Sequence, residues 1–145
     1  MKFIKLEKVF EGTPFEVKSP SIAYKSDAGI DVYAPCNNII KSGETKQIKL
    51  GISIEIEEDE VAIMSERSGM AIKYNIHSIG NIIDSGYRGE ISIILQNNGK
   101  EDFIIKEGDK IGQIIILKLG NREVIEVKEL SETERGNKAH YSSGK

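Results

Sequence analysis

The chain has 145 residues, of which 39% are hydrophobic and 30% charged, and its formal net charge at pH 7 is −3. This length suits one domain, and the weakly acidic balance gives no electrostatic argument for binding nucleic acid or a membrane. The single cysteine, Cys36, excludes an intrachain disulfide and a multi-cysteine metal site. Because no apolar run is long enough to span a membrane and the N-terminus lacks a signal-peptide pattern, we predict a soluble, cytoplasmic protein.

Short apolar runs separated by turn residues follow one another along the chain. Such a rhythm is typical of an all-β sandwich or barrel. The single convincing helical pattern covers residues 65–74, where Ser68 is predicted to be the N-cap. The predicted strands lie within residues 3–10, 30–34, 39–40, 48–56, 61–64, 79–83, 91–95, 103–105, 111–119 and 124–130.

A glycine-dense turn interrupts two apolar runs between residues 80 and 97. The alternating isoleucines on either side predict a β-hairpin with Asp84 and Tyr87 near its bend, so that both side chains can face one cavity. Gly80 and Asn81 are residue types that tolerate left-handed backbone, and bare backbone there can recognise the polar edge of a flat ring. The alternative is an ordinary tight turn with a surface aspartate.

Four further polar residues stand at unusual places in this pattern. Asp31 lies inside a predicted strand, and Gln113 interrupts a nearly continuous apolar run, so each needs a partner if it is buried. Ser68 and Arg67 at the start of the predicted helix form a candidate anion site. The alternative for that pair is a simple helix cap beside a solvated arginine.

The last twelve residues differ in composition from the rest. Residues 134–145 are polar, basic and rich in hydroxyl groups, without apolar periodicity. We therefore divide the chain into a core, residues 1–133, and a C-terminal tail, residues 134–145. The tail is either a frayed terminus or a flexible flap that closes on phosphate and on a base.

Five stretches of the chain stand out in order: AGID at 28–31, ERSGMAIK at 66–73, GNIIDSGYRG at 80–89, GDKIGQ at 108–113 and RGNKAHYSSGK at 135–145. They resemble the five motifs of the trimeric dUTPase family (deoxyuridine 5′-triphosphate nucleotidohydrolases), and the resemblance spans nearly the whole chain. It implies a jelly-roll-like β-barrel and a homotrimer in which each active site is assembled from different subunits. It also implies hydrolysis of dUTP to dUMP and pyrophosphate by attack of water on the α-phosphate, which limits uracil in DNA and supplies dUMP.

The resemblance implies roles for the residues of the central turn. Asp84 matches the catalytic carboxylate, which would orient and deprotonate the attacking water. Tyr87 would lie against the deoxyribose and leave no room for a 2′-hydroxyl group. The backbone near Gly80 and Asn81 would recognise the uracil edge and reject a 5-methyl group.

A second set of matched residues would bind the triphosphate. Arg67, Ser68 and Gly69 would hold phosphate oxygens, and Gln113 would contact the α-phosphate or its water. Mg²⁺ is expected to arrive on the triphosphate, since it keeps much of its hydration shell and needs few protein carboxylates. Asp31 is the expected carboxylate for that ion, acting through water.

The tail supplies the remaining site residues that the resemblance implies. Arg135, Ser142 and Ser143 would close on the γ-phosphate. Counting from Arg135, His140 stands where the family usually has a base-stacking phenylalanine, and Tyr141 stands where it usually has glycine. Both His140 and Tyr141 are therefore candidates for the ring that covers uracil.

Two other positions depart from the family pattern, and two other functions compete with dUTP hydrolysis. Glu66 replaces a usual proline, and Met70 replaces a usual leucine. A dCTP deaminase of the same fold needs a catalytic glutamate, which would fall on Ile94, and isoleucine cannot transfer protons. A nucleotide-binding regulatory protein of the phage signalling type, acting through an unknown protein partner, would be an added role.

Overall fold

The computed structural model of the protein describes residues 1–10, 13–134 and 136. Within those residues the chain forms thirteen β-strands and one short helix, which confirms the all-β prediction. The elements are β1 (Lys2–Lys5), β2 (Lys8–Phe10), β3 (Thr13–Phe15), β4 (Ile30–Tyr33), β5 (Asn38–Ile40), β6 (Thr45–Lys49), β7 (Ile52–Glu55), β8 (Glu60–Ser65), α1 (Ser68–Tyr74), β9 (Ile76–Ile79), β10 (Ile82–Asp84), β11 (Ser92–Asn97), β12 (Phe103–Ile105) and β13 (Lys110–Lys118).

The described strands pair antiparallel in five small sheets. The largest has the order β10-β8-β13-β4, a second has the order β6-β11-β9, and three pairs are formed by β1-β7, β12-β5 and β2-β3. Along β11 the buried side chains are Ile93, Leu95 and Asn97, as a strand with one face on the core requires. One aliphatic core lies between the sheets. Its largest fully buried side chains are Ile40, Leu50, Ile52, Met64, Ile76, Ile91, Ile93, Leu95, Ile105, Ile111, Ile114 and Val32.

The sequence predicted that residues 79–83 pair with residues 91–95 in a hairpin, and this pairing is wrong. Strand β11 pairs with β9, where Ile94 faces Ile79, whereas β10 pairs with β8 in the other large sheet. Gly80 between β9 and β10 has φ +64°, a left-handed conformation that turns the chain from one sheet toward the other. Asp84 therefore ends β10 in the four-stranded sheet, and Tyr87 lies in the connection from β10 to β11.

The predicted last strand, residues 124–130, is also wrong. The described residues after β13 contain no further strand, and the apolar side chains there point into solvent. Val124 is 96% exposed and Leu130 is 87% exposed. Alternating apolar residues in this segment thus have no partner surface within the described chain.

The four-stranded sheet has an apolar outer face opposite the core. Two residues that pair across neighbouring strands point their side chains to the same side of the sheet. In this sheet the side chains that point to the core include the fully buried Ala62, Met64 and Ile114. On the outer face, Ile82 and Leu117 are 63% and 50% exposed. The residues of this outer face are Asp31, Val61, Ile63, Ser65, Ile82, Asp84, Gln113, Ile115 and Leu117.

The single helix of the described residues begins later than the pattern predicted. It starts at Ser68, and its N-cap residue is Arg67, which makes no side-chain capping hydrogen bond. The prediction that Ser68 caps the helix is therefore wrong, because Ser68 already has helical backbone. No helix of the described part of the chain is both long and apolar enough to cross a membrane.

Candidate functional site

The turn after β10 holds Asp84 and Tyr87 in a self-contained arrangement. The backbone N–H of Tyr87 donates to the carbonyl of Asp84 at 3.0 Å, and the Tyr87 hydroxyl donates to the carbonyl of Glu90 at 3.0 Å. The Tyr87 ring lies over Gly89, where a β-carbon would stand 2.6 Å from the phenol oxygen. Glycine at this position is therefore what allows the ring to lie flat over the turn.

The Asp84 carboxylate is exposed, and within the described residues neither of its oxygens has a hydrogen-bond partner. Together with Tyr87 it lines a cavity of about 190 Å³, which we call the Asp84 cavity. An unpaired carboxylate beside an aromatic ring can accept a proton from a bound water molecule. The lining residues are Gly80, Ile82, Ile83, Asp84, Tyr87, Ile91 and Ser92.

Asn81 is adjacent to this cavity in sequence but is not among the residues that line it. Its backbone carbonyl already accepts a hydrogen bond from the N–H of Met64 at 2.8 Å. Its side-chain Oδ1 is buried without a partner in the described structure, and its Nδ2 donates only a long bond to the carbonyl of Ser78 at 3.5 Å. An unpaired buried oxygen of this kind is suited to accept a hydrogen bond from water or ligand.

The residues predicted to bind phosphate lie together in a second cavity of about 690 Å³, which we call the Arg67 cavity. The N–H groups of Ser68 and Gly69, at the first two helical positions, have no intrahelical acceptor because no turn precedes them. The lining residues are Ala23, Tyr24, Asp27, Ala28, Gly29, Asp31, Arg67, Ser68, Gly69, Met70, Tyr74, Gln113 and Ile115.

Asp31 is buried at the base of the Arg67 cavity between two cations. Its Oδ2 is 2.6 Å from Lys110 Nζ, and its Oδ1 is 3.4 Å from Arg67 Nε. The hydrogen bond to Asp31 raises the pKa of Lys110 above its ordinary value, against the opposing effect of burial. Each carboxylate oxygen thus faces one cation, and the metal role predicted for Asp31, acting through water, stays a prediction.

Lys110 was missed by the sequence reasoning, although a buried aspartate signals that a cation is needed nearby. Its place beside Asp31 depends on an irregular register between β13 and β4, where the pairing shifts between Lys110 and Gly112. Such a shift leaves no sign in the alternation of apolar residues.

Gln113 connects the two large strands of this region. It faces Asp31 on β4 and Ser65 on β8, and its Nε2 donates to the carbonyl of Glu66 at 3.2 Å. The polar residue inside the apolar run of β13 thus has the hydrogen-bond partner that burial in a strand requires.

The two cavities share no lining residue. Asp84 faces Val61 on β8, whereas Gln113 faces Ser65, four positions along the same strand. At about 3.3 Å per residue, the two side chains are roughly 13 Å apart along the strand direction alone. The structure therefore places Asp84 and Gln113 on one sheet face, and it places the predicted carboxylate and the predicted phosphate ligands in separate cavities.

The five tail residues predicted to complete the site, Arg135, His140, Tyr141, Ser142 and Ser143, lie outside the described residues. Their roles stay predictions.

The fold and the two cavities define an all-β barrel protein with a carboxylate site and a separate cationic, amide-rich site on one sheet face. The sequence model of the dUTPase family matches residues 16–144. A deoxyuridine 5′-triphosphate nucleotidohydrolase of Clostridioides difficile is 43% identical over 127 residues, covering 86% of this chain and 89% of the relative. The chain therefore belongs to the dUTPase family.

Solved structures agree with this assignment. A variant of the Staphylococcus bacteriophage 80alpha dUTPase with dUpNHpp superimposes with a TM-score of 0.83 at 25% identity, covering 88% of this chain and 92% of that one. A variant of the dUTPase from phage phi11 of S. aureus, which coordinates a structural Mg(II) ion, has a TM-score of 0.75 at 25% identity, covering 80% and 93%. The jelly-roll-like barrel implied by the sequence motifs is thus confirmed.

Proposed function

We propose that this protein is a dUTP diphosphatase in which Asp84 is the general base. The observation that carries the assignment is the Asp84 carboxylate, which has no hydrogen-bond partner among the described residues and faces a small cavity beside the Tyr87 ring. Membership in the dUTPase family supports dUTP as the substrate and dUMP with pyrophosphate as the products.

In the proposed reaction, the Asp84 cavity holds the nucleoside and the attacking water. The carboxylate accepts a proton from the water as its oxygen attacks the α-phosphorus, and the bond from that phosphorus to the bridging oxygen breaks to release pyrophosphate. The Tyr87 ring packs against the deoxyribose, where a 2′-hydroxyl group would collide with it. Backbone at Gly80, which lines this cavity, is available to the uracil edge.

The Arg67 cavity binds the triphosphate in this proposal. The Arg67 guanidinium, the free N–H groups of Ser68 and Gly69 and the Gln113 amide are donors that suit phosphate oxygens. Mg²⁺ enters as part of the substrate. The described residues contain no group of three or more His, Cys, Asp or Glu side chains that could hold a metal. Asp31 orients Arg67 and Lys110 through its two carboxylate oxygens.

We further propose that the protein works as a homotrimer whose active sites combine the Asp84 cavity of one copy with the Arg67 cavity of another. The roughly 13 Å between Asp84 and Gln113 along the strand, and the apolar outer face between them, support this arrangement. A second copy packed on Ile82 and Leu117 would bury that face. The tail of a further copy, through Arg135 and the residues after it, would close over the triphosphate.

Deamination of dCTP is not favoured. At the position where a deaminase needs glutamate the chain has Ile94, whose Cδ1 lies 3.3 Å from the β-carbon that Gly80 would bear. A regulatory function through a protein partner would add to hydrolysis without replacing it. Action inside the cell remains a prediction.

The assignment of Asp84 is tested by Asp84→Asn in a pyrophosphate-release assay with each of the four dNTPs and dUTP. The wild type should hydrolyse dUTP in strong preference to the others. The variant should bind dUTP but lose about two to four orders of magnitude in kcat, because the amide cannot accept the proton. Asp102→Asn is the matched control, since its Oδ1 accepts a bond from the N–H of Ser42 at a distant turn. Near wild-type turnover by Asp84→Asn would refute the base assignment.

The shared site is tested by mixing two weakened variants. Asp84→Asn and Gln113→Ala trimers, unfolded together and refolded as mixed trimers, should be more active than the average of the two variants refolded separately, because some sites then combine an intact Asp84 cavity with an intact Arg67 cavity. If each site is built within one copy, the activity of the mixture stays at that average.

A further inference from the structure

Glu66, between β8 and α1, is hydrogen-bonded through every polar group that it has. Its backbone N–H donates to the Ser78 hydroxyl at 3.1 Å, and its carbonyl accepts from Gln113 Nε2 at 3.2 Å and from the Ser65 hydroxyl at 3.1 Å. Its carboxylate Oε2 accepts from the backbone N–H of Ser78 at 3.2 Å and from the Ser78 hydroxyl.

The Glu66 carboxylate points toward β9 and is therefore turned away from the residues that line the Arg67 cavity. Burial is the largest influence on its pKa and raises it, but the hydrogen bonds from Ser78 and the nearby His77 together lower the pKa below the ordinary value. The second oxygen, Oε1, is 3.7 Å from His77 Nδ1. Glu66 consequently stays ionised at neutral pH, which keeps it a strong acceptor for both Ser78 donors.

The turn that Glu66 holds leads directly into the proposed phosphate ligands. Arg67 follows it with extended backbone (φ −89°, ψ 139°) and makes no side-chain cap to α1, so the start of the seven-residue helix has no capping side chain of its own. The Glu66–Ser78 bonds tie this turn to β9, and the Gln113–Glu66 bond ties it to β13. Movement of Glu66 would therefore displace Arg67, Ser68 and the Gln113 amide together.

We propose that Glu66 is a positioning residue whose carboxylate, bonded to Ser78, sets the place of Arg67, Ser68 and the Gln113 amide relative to the triphosphate of dUTP. The inference rests on the proposed function of the Arg67 cavity. An acid one residue from the phosphate ligands would repel phosphate if it faced them. Its bonds to Ser78 remove that conflict and convert the carboxylate into an anchor for the turn.

The test compares Glu66→Ala, Glu66→Gln, Ser78→Ala and the double variant Glu66→Ala/Ser78→Ala with the wild-type trimer. Binding of dUpNHpp, a non-hydrolysable triphosphate, and of deoxyuridine, which has no phosphate, is measured by calorimetry alongside kcat and KM. Glu66→Ala should weaken dUpNHpp binding and raise KM for dUTP about tenfold, with kcat within about threefold, because the phosphate contacts are made in both ground and transition states. Deoxyuridine binding should not change.

The other variants separate positioning from general stability. Glu66→Gln keeps an amide oxygen that can accept from both the N–H and the hydroxyl of Ser78, as Oε2 does, so it should stay within about threefold of wild type. Ser78→Ala should show the same selective loss as Glu66→Ala, and the double variant should be no worse than the more affected single one, because the two residues act through each other. Glu44→Ala is the matched control, since Glu44 bonds the backbone N–H of Lys41 at 2.7 Å in a turn outside both cavities.

Several results would overturn the proposal. One is that Glu66→Ala loses as much affinity for deoxyuridine as for dUpNHpp. Another is that the losses of affinity in the double variant add up, and a third is that Ser78→Ala binds dUpNHpp as tightly as the wild type does. If Glu66→Ala does not fold, Ser78→Ala and Glu66→Gln decide the matter. If the wild type binds dUpNHpp but releases no pyrophosphate from dUTP, the proposed function is refuted. The positioning role of Glu66 is then judged from the affinities of the variants for dUpNHpp and deoxyuridine. A wild type that does not bind dUpNHpp would overturn both.

Discussion

Gly29→Ala is expected to act on the candidate site through a single neighbour, the Gln113 side chain. A β-carbon on Gly29 would stand 2.0 Å from Gln113 Oε1, 2.9 Å from its Cδ and 3.2 Å from its Cβ. No such carbon–oxygen contact is tolerated, so the amide has to swing away. The backbone of Gly29 is not in the left-handed region, and alanine therefore imposes no strain of its own there.

The expected magnitudes follow from the bond that Gln113 loses. Its hydrogen bond to the Glu66 carbonyl contributes about 1 kcal/mol, and alanine in place of glycine returns about 0.4–1 kcal/mol by restricting the unfolded chain. Stability should therefore change by less than about 1 kcal/mol. Loss of an amide contact to a charged phosphate costs about 1.5–3 kcal/mol, which corresponds to a fall in kcat/KM of about 10-fold to 100-fold.

The assay is steady-state pyrophosphate release from dUTP, with urea unfolding to follow stability. Gly120→Ala is the matched control, because a β-carbon there meets nothing within 4 Å. Gln113→Ala and the double variant Gly29→Ala/Gln113→Ala complete the set, and the double variant should match Gln113→Ala alone. If Gly29→Ala keeps the wild-type kcat/KM while Gln113→Ala loses most of it, the reasoning is refuted, since the amide would then stay in place despite the collision.

Three further predictions concern the tail and the Glu66 anchor. Truncation after Thr133 should preserve the trimer in sedimentation and abolish most dUTP hydrolysis, and retained activity would contradict the flap. His140→Ala should raise KM for dUTP more than Tyr141→Ala does, and the opposite ranking would assign the stacking ring to Tyr141. Because the folded-state pKa of Glu66 lies below its ordinary 4.5, its stabilising contribution is present above about pH 4.5 and is lost as pH falls through the lowered value. Urea unfolding should therefore show a stability gap between wild type and Ser78→Ala that narrows from pH 7 to pH 3, and a constant gap would contradict it.

The sequence predicted the strands well because a period of two reports directly on which side chains face the core. It could not predict their partners. The isoleucines before and after Asp84 suit one hairpin, yet β10 pairs with β8 and β11 pairs with β9. Pairing between strands is decided by long-range contacts and by local turns such as the left-handed Gly80, which alternation does not encode.

The same limit explains the segment from Val124 to Leu130, where alternation predicted a strand that the described chain does not form. Apolar periodicity indicates that one side of a segment is suited to pack against an apolar surface. It does not show whether that surface belongs to the same chain. Val124 and Leu130 are among the most exposed apolar side chains described. Their exposure, like that of the outer face of the four-stranded sheet, is what the proposed trimer would remove.

The sequence did not predict that the candidate site residues divide between two cavities, and the two aspartates show why this division matters. Asp31 and Asp84 stand on the same outer face of one sheet, and residue type alone would give both the same chemistry. Asp31 is buried between Lys110 and Arg67, each of which contacts one of its oxygens, so its carboxylate is placed to orient those two cations. Asp84 is exposed at the end of β10, and no described residue bonds its carboxylate. Because a general base must have an oxygen free to accept a proton, the contacts of the two carboxylates support the proposal that Asp84 transfers the proton and that Asp31 orients the cations of the Arg67 cavity.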